Sequence, residues 1–188
     1  MHSLNAAAPS STTYDLSSRT KTSAYVDWTP EASTQTHVLL YTPDISDILT
    51  EIVGQTGWTS GSPMAFLIEW VSGTGSRWVE STYTSSEYAS LTGGAGVVPA
   101  LQVLGVLPPP PPPDLNWPTW SVISRANNAE ENAQTGSMYL TSSDLELPFD
   151  GSTQQVIGIV FSSVDVDTTS TIANSHLGTI AATLESQD

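Results

Sequence analysis

The chain has no cysteine. Disulfides, zinc–thiolate centres and thiol catalysis are therefore excluded. The compartment stays open, because a large secreted domain can manage without bridges. Positive charge is almost as scarce: Arg19, Lys21, Arg77 and Arg125 stand against 19 acidic residues, for a net charge of −15 over 188 residues. A surface this acidic repels phosphate backbones and anionic lipid, which argues against nucleic acid and peripheral membranes as partners. It suits a high-salt or calcium-containing medium, where screening relieves self-repulsion. No run of about 18 apolar residues is present, so no membrane insertion is expected. The opening MHSLNAAAPSSTTYDLSS has neither a basic n-region nor an apolar core and does not read as an intact signal peptide. No N-x-Ser/Thr sequon occurs, so any attached sugar would be O-linked.

What is abundant is Ser, Thr, Gly and Pro. Thr suits exposed strand faces, and Gly, Pro, Ser and Asp supply turns. This is the balance of an extracellular all-β protein. Thr20–Trp28 alternates, with Thr22, Ala24, Val26 and Trp28 on one face, and reads as a strand with one buried side. Further strands are expected at 63–72, 77–83, 96–107, 119–126, 136–147 and 154–166, with one or two more after residue 171, and 36–41 is either a short strand or the lead into the segment that follows. Asp150–Gly151 marks a tight turn. The single helix is expected at about 43–53. Thr42 is a candidate N-cap with Pro43 at N1, and Ile45, Ile48, Leu49, Ile52 and Val53 form the apolar stripe. Gly54 is expected to stop the helix. The expected fold is an all-β, jelly-roll-like sandwich with one short capping helix.

Catalytic motifs are missing. His2, His37 and His176 sit in no H-E-x-x-H, H-x-H or G-x-S-x-G setting, and neither GTG at 73–75 nor GGAG at 93–96 leads into a phosphate loop. No catalytic residue is assigned and no enzyme is expected. Carboxylates are the better lead. In SSDLEL and VDVD, alternate positions put Asp144 with Glu146, and Asp165 with Asp167, on one sheet face. With Glu131 of the adjacent Glu130–Glu131 pair, these five are the candidate metal ligands, and calcium is the metal that such paired oxygens suit. The alternative is a solvated acidic face. Of the six tryptophans, Trp28 and Trp58 fit a core pattern, while Trp117 and Trp120 flank Pro118 and are read as stacking on proline rings.

The segments SSRTKTSAYVDWTP, YTPDISDILTEIVGQTGWTSGSPMAFLI, GTGSRWVESTY and VPALQV resemble the second half of a repeat domain of large secreted, adhesin-like surface proteins of marine and environmental microbes. RANNAEENAQTGSMYLTSSDLELPFDGSTQQVIGIVFSSVDV resembles the first half of the same repeat. Two positions depart from the pattern: Val160 where Arg is expected, and Ser62 after Gly61 where Asn is expected. The resemblance implies extracellular, cell-surface architecture and no activity.

The halves stand in exchanged order. Residues 1–107 carry the second half, 108–118 a connector, and 119–188 the first half. Pro108, Pro109, Pro110, Pro111, Pro112 and Pro113 make the connector a polyproline II rod of roughly 19 Å. Either the chain closes on itself, or residues 119–188 complete the 1–107 half of a neighbour. The second arrangement is head-to-tail and open, and gives a filament. The rod's stiffness favours reach to a neighbour. The expected partners are therefore copies of the chain itself, building a surface filament or sheath. The rivals are a carbohydrate-binding or adhesive module with glycan partners, calcium-dependent or not, and a virion decoration or fibre protein.

Overall fold

The computed structural model describes residues 2–3, 6–30, 39–80, 99–106, 119–122, 124–142, 144–166 and 171–180. The order of elements is β1 (His2–Ser3), β2 (Leu39–Tyr41), α1 (Ser46–Val53), β3 (Met64–Glu69), β4 (Arg77–Glu80), β5 (Ala100–Val106) and β6 (Thr119–Ser121). There follow β7 (Asn128–Asn132), β8 (Met138–Tyr139), β9 (Asp144–Leu147), β10 (Phe149–Asp150), β11 (Thr153–Phe161) and β12 (Thr171–Ile180). One sheet runs β1-β3-β11-β7-β8 with β10 also on β11, a second runs β2-β12-β5-β6, and β4 pairs with β9. Every pairing among the described residues is antiparallel. Among the described residues the fold is all-β with one short α-helix, as the composition predicts.

The two sheets face each other across one apolar cluster. The first contributes Met64, Phe66, Ile157, Ile159 and Phe161; the second contributes Leu101, Val103, Ile172 and Leu177. Phe66 and Phe161 meet edge to face, centroids 5.8 Å apart. Ile48, Leu49 and Ile52 plug the cluster from α1, and Leu145 and Leu147 enter it from β9. Each such side chain contributes about 1.5–3 kcal/mol on leaving water.

β11 is central because its sequence is buried on both sides: Gln155 through Phe161 are all buried. β10 and β11 form the expected hairpin, with Asp150 opposite Thr153, and Gly151 supplies the positive φ, 56°, that the two-residue turn demands. The region 136–147 splits into β8 and β9.

Three local expectations are corrected. Residues 20–28 keep their alternation, with Ala24, Val26 and Trp28 packed on the core, but only Lys21 forms a bridge. They are an extended strap, not a ladder strand. The helix begins at Ser46, not after Thr42, because β12 takes up the residues before it. Thr42 N–H donates to the Leu177 carbonyl, the Thr42 hydroxyl accepts from Leu177 N–H at 3.0 Å, and Ile45 N–H donates to the Ser175 carbonyl. Asp44, not Thr42, meets the helix start, accepting Ser46 N–H at 3.0 Å and Ser175 N–H at 2.8 Å. Gly54 closes the helix with φ −77°, in right-handed backbone, and Gly57 takes the left-handed position with φ 90°.

The polypeptide's halves interleave. β3 of residues 1–107 pairs with β11, setting Met64, Phe66 and Ile68 opposite Phe161, Ile159 and Ile157. β2 and β5 pair with β12, β4 with β9, and β5 with β6. Five of the nine ladders among the described residues therefore join the halves, and β2, β4 and β5 find partners only beyond the connector.

Candidate functional site

Glu130 and Glu131 are neighbours on β7, so their side chains leave opposite faces of the sheet. Glu131 stands opposite Val156 and faces outward; Glu130 stands opposite Ile157 and faces the core side. Both are buried, Glu131 completely.

On the outer face the segment before β2 forms a strap. Glu131 Oε2 accepts N–H groups from Leu16 at 2.7 Å and Ser17 at 3.1 Å, while Oε1 is buried without a partner. Those bonds seat Leu16 on a second, smaller apolar cluster with Leu67, Ala129 and Val156. Gly158 makes room for it: a Cβ there would lie 2.5 Å from Leu16 Cδ2. Gly136 plays the same part for Tyr14, whose backbone N–H and hydroxyl donate to the carbonyls of Gly136 and Gln134. Arg19 braces the strap from within, paired with Asp15 at 2.8 Å and donating to the Ala7 carbonyl at 2.9 Å. Lys21 pairs with Glu69 of β3. Glu51 of α1 accepts from Ser23 N–H, Ser23 Oγ and Ala24 N–H, at 2.8–2.9 Å.

On the core side Glu130 Oε1 accepts the Glu146 N–H at 2.6 Å. Burial, reinforced by the Glu146 carboxyl, pushes Glu130 up to about 9. Burial also raises Glu146, aided by the charges of Asp144 and Asp150. Two carboxyls in this setting cannot both ionise cheaply. Burial and the neighbouring carboxyl favour the protonated form of Glu130. Neither residue borders the cleft described below.

The expected calcium ligands are dispersed. Asp144 and Glu146 share one half-buried face of β9, as alternation requires, but Glu131 is turned to the strap and its Oε2 is taken by backbone N–H groups. Asp165 lies past the end of β11, exposed, and accepts from the Ser60 hydroxyl. Asp167 lies outside the described residues. Among the described residues, no group of three or more His, Cys, Asp or Glu side chains is placed to hold a metal. His176 is mid-strand on β12, half-buried, its Nδ1 bonded to the Thr42 carbonyl at 2.9 Å.

Pro108–Pro113 and Trp117 also lie outside the described residues. Trp120, on β6, packs against the main apolar cluster. The flanks of the connector are neighbours, because Gln102 stands opposite Thr119. Four residues of β5, 103–106, overhang that ladder, roughly 13 Å of strand. The twelve residues 107–118, with a rod of roughly 19 Å, can span this return.

A cleft of about 1130 Å³ opens between the strap and the outgoing end of β3. Tyr25, Asp27 and Trp28 form one wall, Glu69, Trp70 and Val71 another, with the Gly73–Gly75 loop, Pro148, Thr42 and Leu177 completing it. Tyr25 is 62% exposed, Val71 76% and Trp70 36%, with Trp70 set edge-on to Phe149 at 5.6 Å. The alternation of 20–28 places Tyr25 outward, but no sequence signal joins it to Trp70, 45 residues on.

No family model, curated protein or solved structure matches the chain. Among the described residues, no helix is long and apolar enough to cross a membrane.

Proposed function

We propose that the protein is a non-enzymatic structural subunit of an extracellular surface filament or sheath. In this reading copies join head to tail, residues 1–107 of one meeting residues 119–188 of the next. One observation supports the reading: five of the nine ladders among the described residues join the halves, so neither half completes both sheets alone. Among the described residues β2, β4 and β5 pair only with strands beyond the connector, and β11 is flanked by β3 from one half and β7 from the other. A chain whose halves are this interdependent can satisfy the same ladders within itself or with a neighbour, which is the relation between a closed monomer and its domain-swapped form. Exchange around a ring closes; exchange along a line gives a filament. The acidic, Ser- and Thr-rich composition and the resemblance to secreted surface repeats agree with an extracellular setting.

Complementation between defective chains tests this. Phe66→Asp spoils the first half and Ile159→Asp the second, since both side chains are buried in the shared core. Each variant alone is expected to stay unfolded. Refolded together, they are expected to recover β circular dichroism in a particle at least twice the 19.9 kDa chain mass. A mixture that stays unfolded, alongside a wild-type chain that remains at 19.9 kDa at every concentration, overturns the proposal.

A further inference from the structure

The aromatic cleft has the chemistry of a sugar site. We propose that the cleft between the strap and β3 binds a neutral oligosaccharide, its pyranose rings lying against Tyr25 and Trp70. The site goes beyond the assembly reading and does not rest on it.

The apolar side of the cleft comes first. Tyr25 on one wall is 62% exposed and Trp70 on the other 36%. Large aromatic side chains gain most from burial, so two held open along one concave surface mark it as a contact surface. Trp70 is steadied there by its edge-on contact with Phe149. A ring already in place loses little freedom when a ligand arrives. The face of an aromatic ring carries partial negative charge, and the C–H face of a pyranose offers the apolar, slightly positive surface that matches it.

The polar lining supplies the rest. Ser17, Thr29, Thr74 and Ser76 bring hydroxyls, and Asp27 and Glu69 bring carboxylates. Hydroxyls donate and accept, and carboxylates accept. A sugar presents an apolar ring face with hydroxyls around its rim, and so uses both sets of groups at once. A wholly apolar ligand would desolvate these polar groups without pairing them, which is costly.

Charge and size narrow the class further. No Lys, Arg or His is among the described lining residues, and the chain carries −15, so phosphate, sulfate and uronate groups are repelled. A cation finds little to hold it. Glu69 is paired with Lys21, which leaves Asp27 as the lining carboxylate without an ion pair among the described residues. A volume of about 1130 Å³ stands at the top of the range of about 300–1,000 Å³ usual for ligand pockets, and suits several linked rings better than one. A peptide adding as a strand fits poorly, because β3 is already laddered to β11 along its length and to β1 at Ala65 and Phe66.

The test titrates the full chain with cellohexaose, xylohexaose, maltohexaose and chitohexaose, followed by calorimetry and tryptophan fluorescence. Saturable binding of at least one is expected, at least about tenfold weaker in Trp70→Ala and in Tyr25→Ala. Tyr25 is exposed and belongs to neither apolar cluster, so Tyr25→Ala is expected to keep the parent melting temperature, which separates lost binding from lost folding. Asp27→Asn keeps an acceptor oxygen and is expected to hold the affinity within about fivefold, as a neutral ligand requires. Hexagalacturonate and hexalysine are expected not to bind. The inference is overturned if none of the four sugars binds, if binding ignores both aromatic substitutions, or if hexalysine binds more tightly than every sugar. A chain that stays at 19.9 kDa yet binds a sugar supports the site and counts against the filament; an assembled chain that ignores all four does the reverse.

Discussion

The two faces of β11 are covered in different ways. Its inner face, Ile157, Ile159 and Phe161, meets the second sheet, the helix and β9 in one large apolar cluster. Its outer face, at Val156 and Gly158, meets the strap through a small cluster centred on Leu16. The inner cover is a layer of the fold and rests on many contacts. The outer cover is a chain segment without a ladder, held by a few polar anchors, Glu131 above all. The inner face should therefore fail globally and the outer face locally.

The largest effect is expected inside. Phe161→Ala removes the edge-to-face partner of Phe66 and leaves a cavity in the main cluster, at a cost of about 3–5 kcal/mol. Chemical denaturation should show it as a lower midpoint for the whole molecule. A loss confined to the strap would contradict the comparison.

The inner side also holds the buried acid. Glu130 is raised from 4.5 to about 9 in the folded chain. Its contribution is therefore fully present below the unfolded value of 4.5 and is lost as pH rises through about 9. Unfolding free energy should fall by on the order of 3 kcal/mol from pH 5 to pH 8. Glu130→Gln, which mimics the protonated form, should flatten that slope while leaving the acid-side stability near wild type. Equal slopes in both proteins would remove Glu130 from the account.

On the outer face, Glu131→Ala strands the Leu16 and Ser17 N–H groups or frees the strap, at about 2–3 kcal/mol. Hydrogen exchange should rise over residues 12–19 before the sheets respond. Glu131→Gln keeps an acceptor oxygen for both N–H groups and should behave close to wild type. The smallest effect is expected for Gly136→Ala, about 1–2 kcal/mol. It forces a side chain into φ 69° and against the Tyr14 ring, 2.5 Å from the new Cβ. Limited proteolysis within the strap would report it.

The same contrast explains what was legible in the sequence. β3, β5 and β11 announce themselves because their apolar runs meet other apolar runs, and the Asp150–Gly151 turn is fixed locally. The helix stripe is equally plain. Its start is not, since Thr42–Ile45 bond to β12, about 130 residues away, instead of capping the helix. β7 reads NAEEN, which resembles no strand. It becomes one because each glutamate finds backbone donors on a different face, and a sequence shows charge but not those donors. The strap and the cleft depend on the same long-range meetings. Tyr25 and Trp70 are ordinary until β3 and the segment before β2 lie side by side.

The central claim is that this fold exists only where the two halves of the chain meet. Residues 1–107 and 119–188, produced as separate polypeptides and mixed at equal concentration, test it most directly. The account predicts that neither shows cooperative thermal unfolding alone and that the mixture does, with both chains in one particle. Either piece melting cooperatively by itself, with its own β signal, would contradict it.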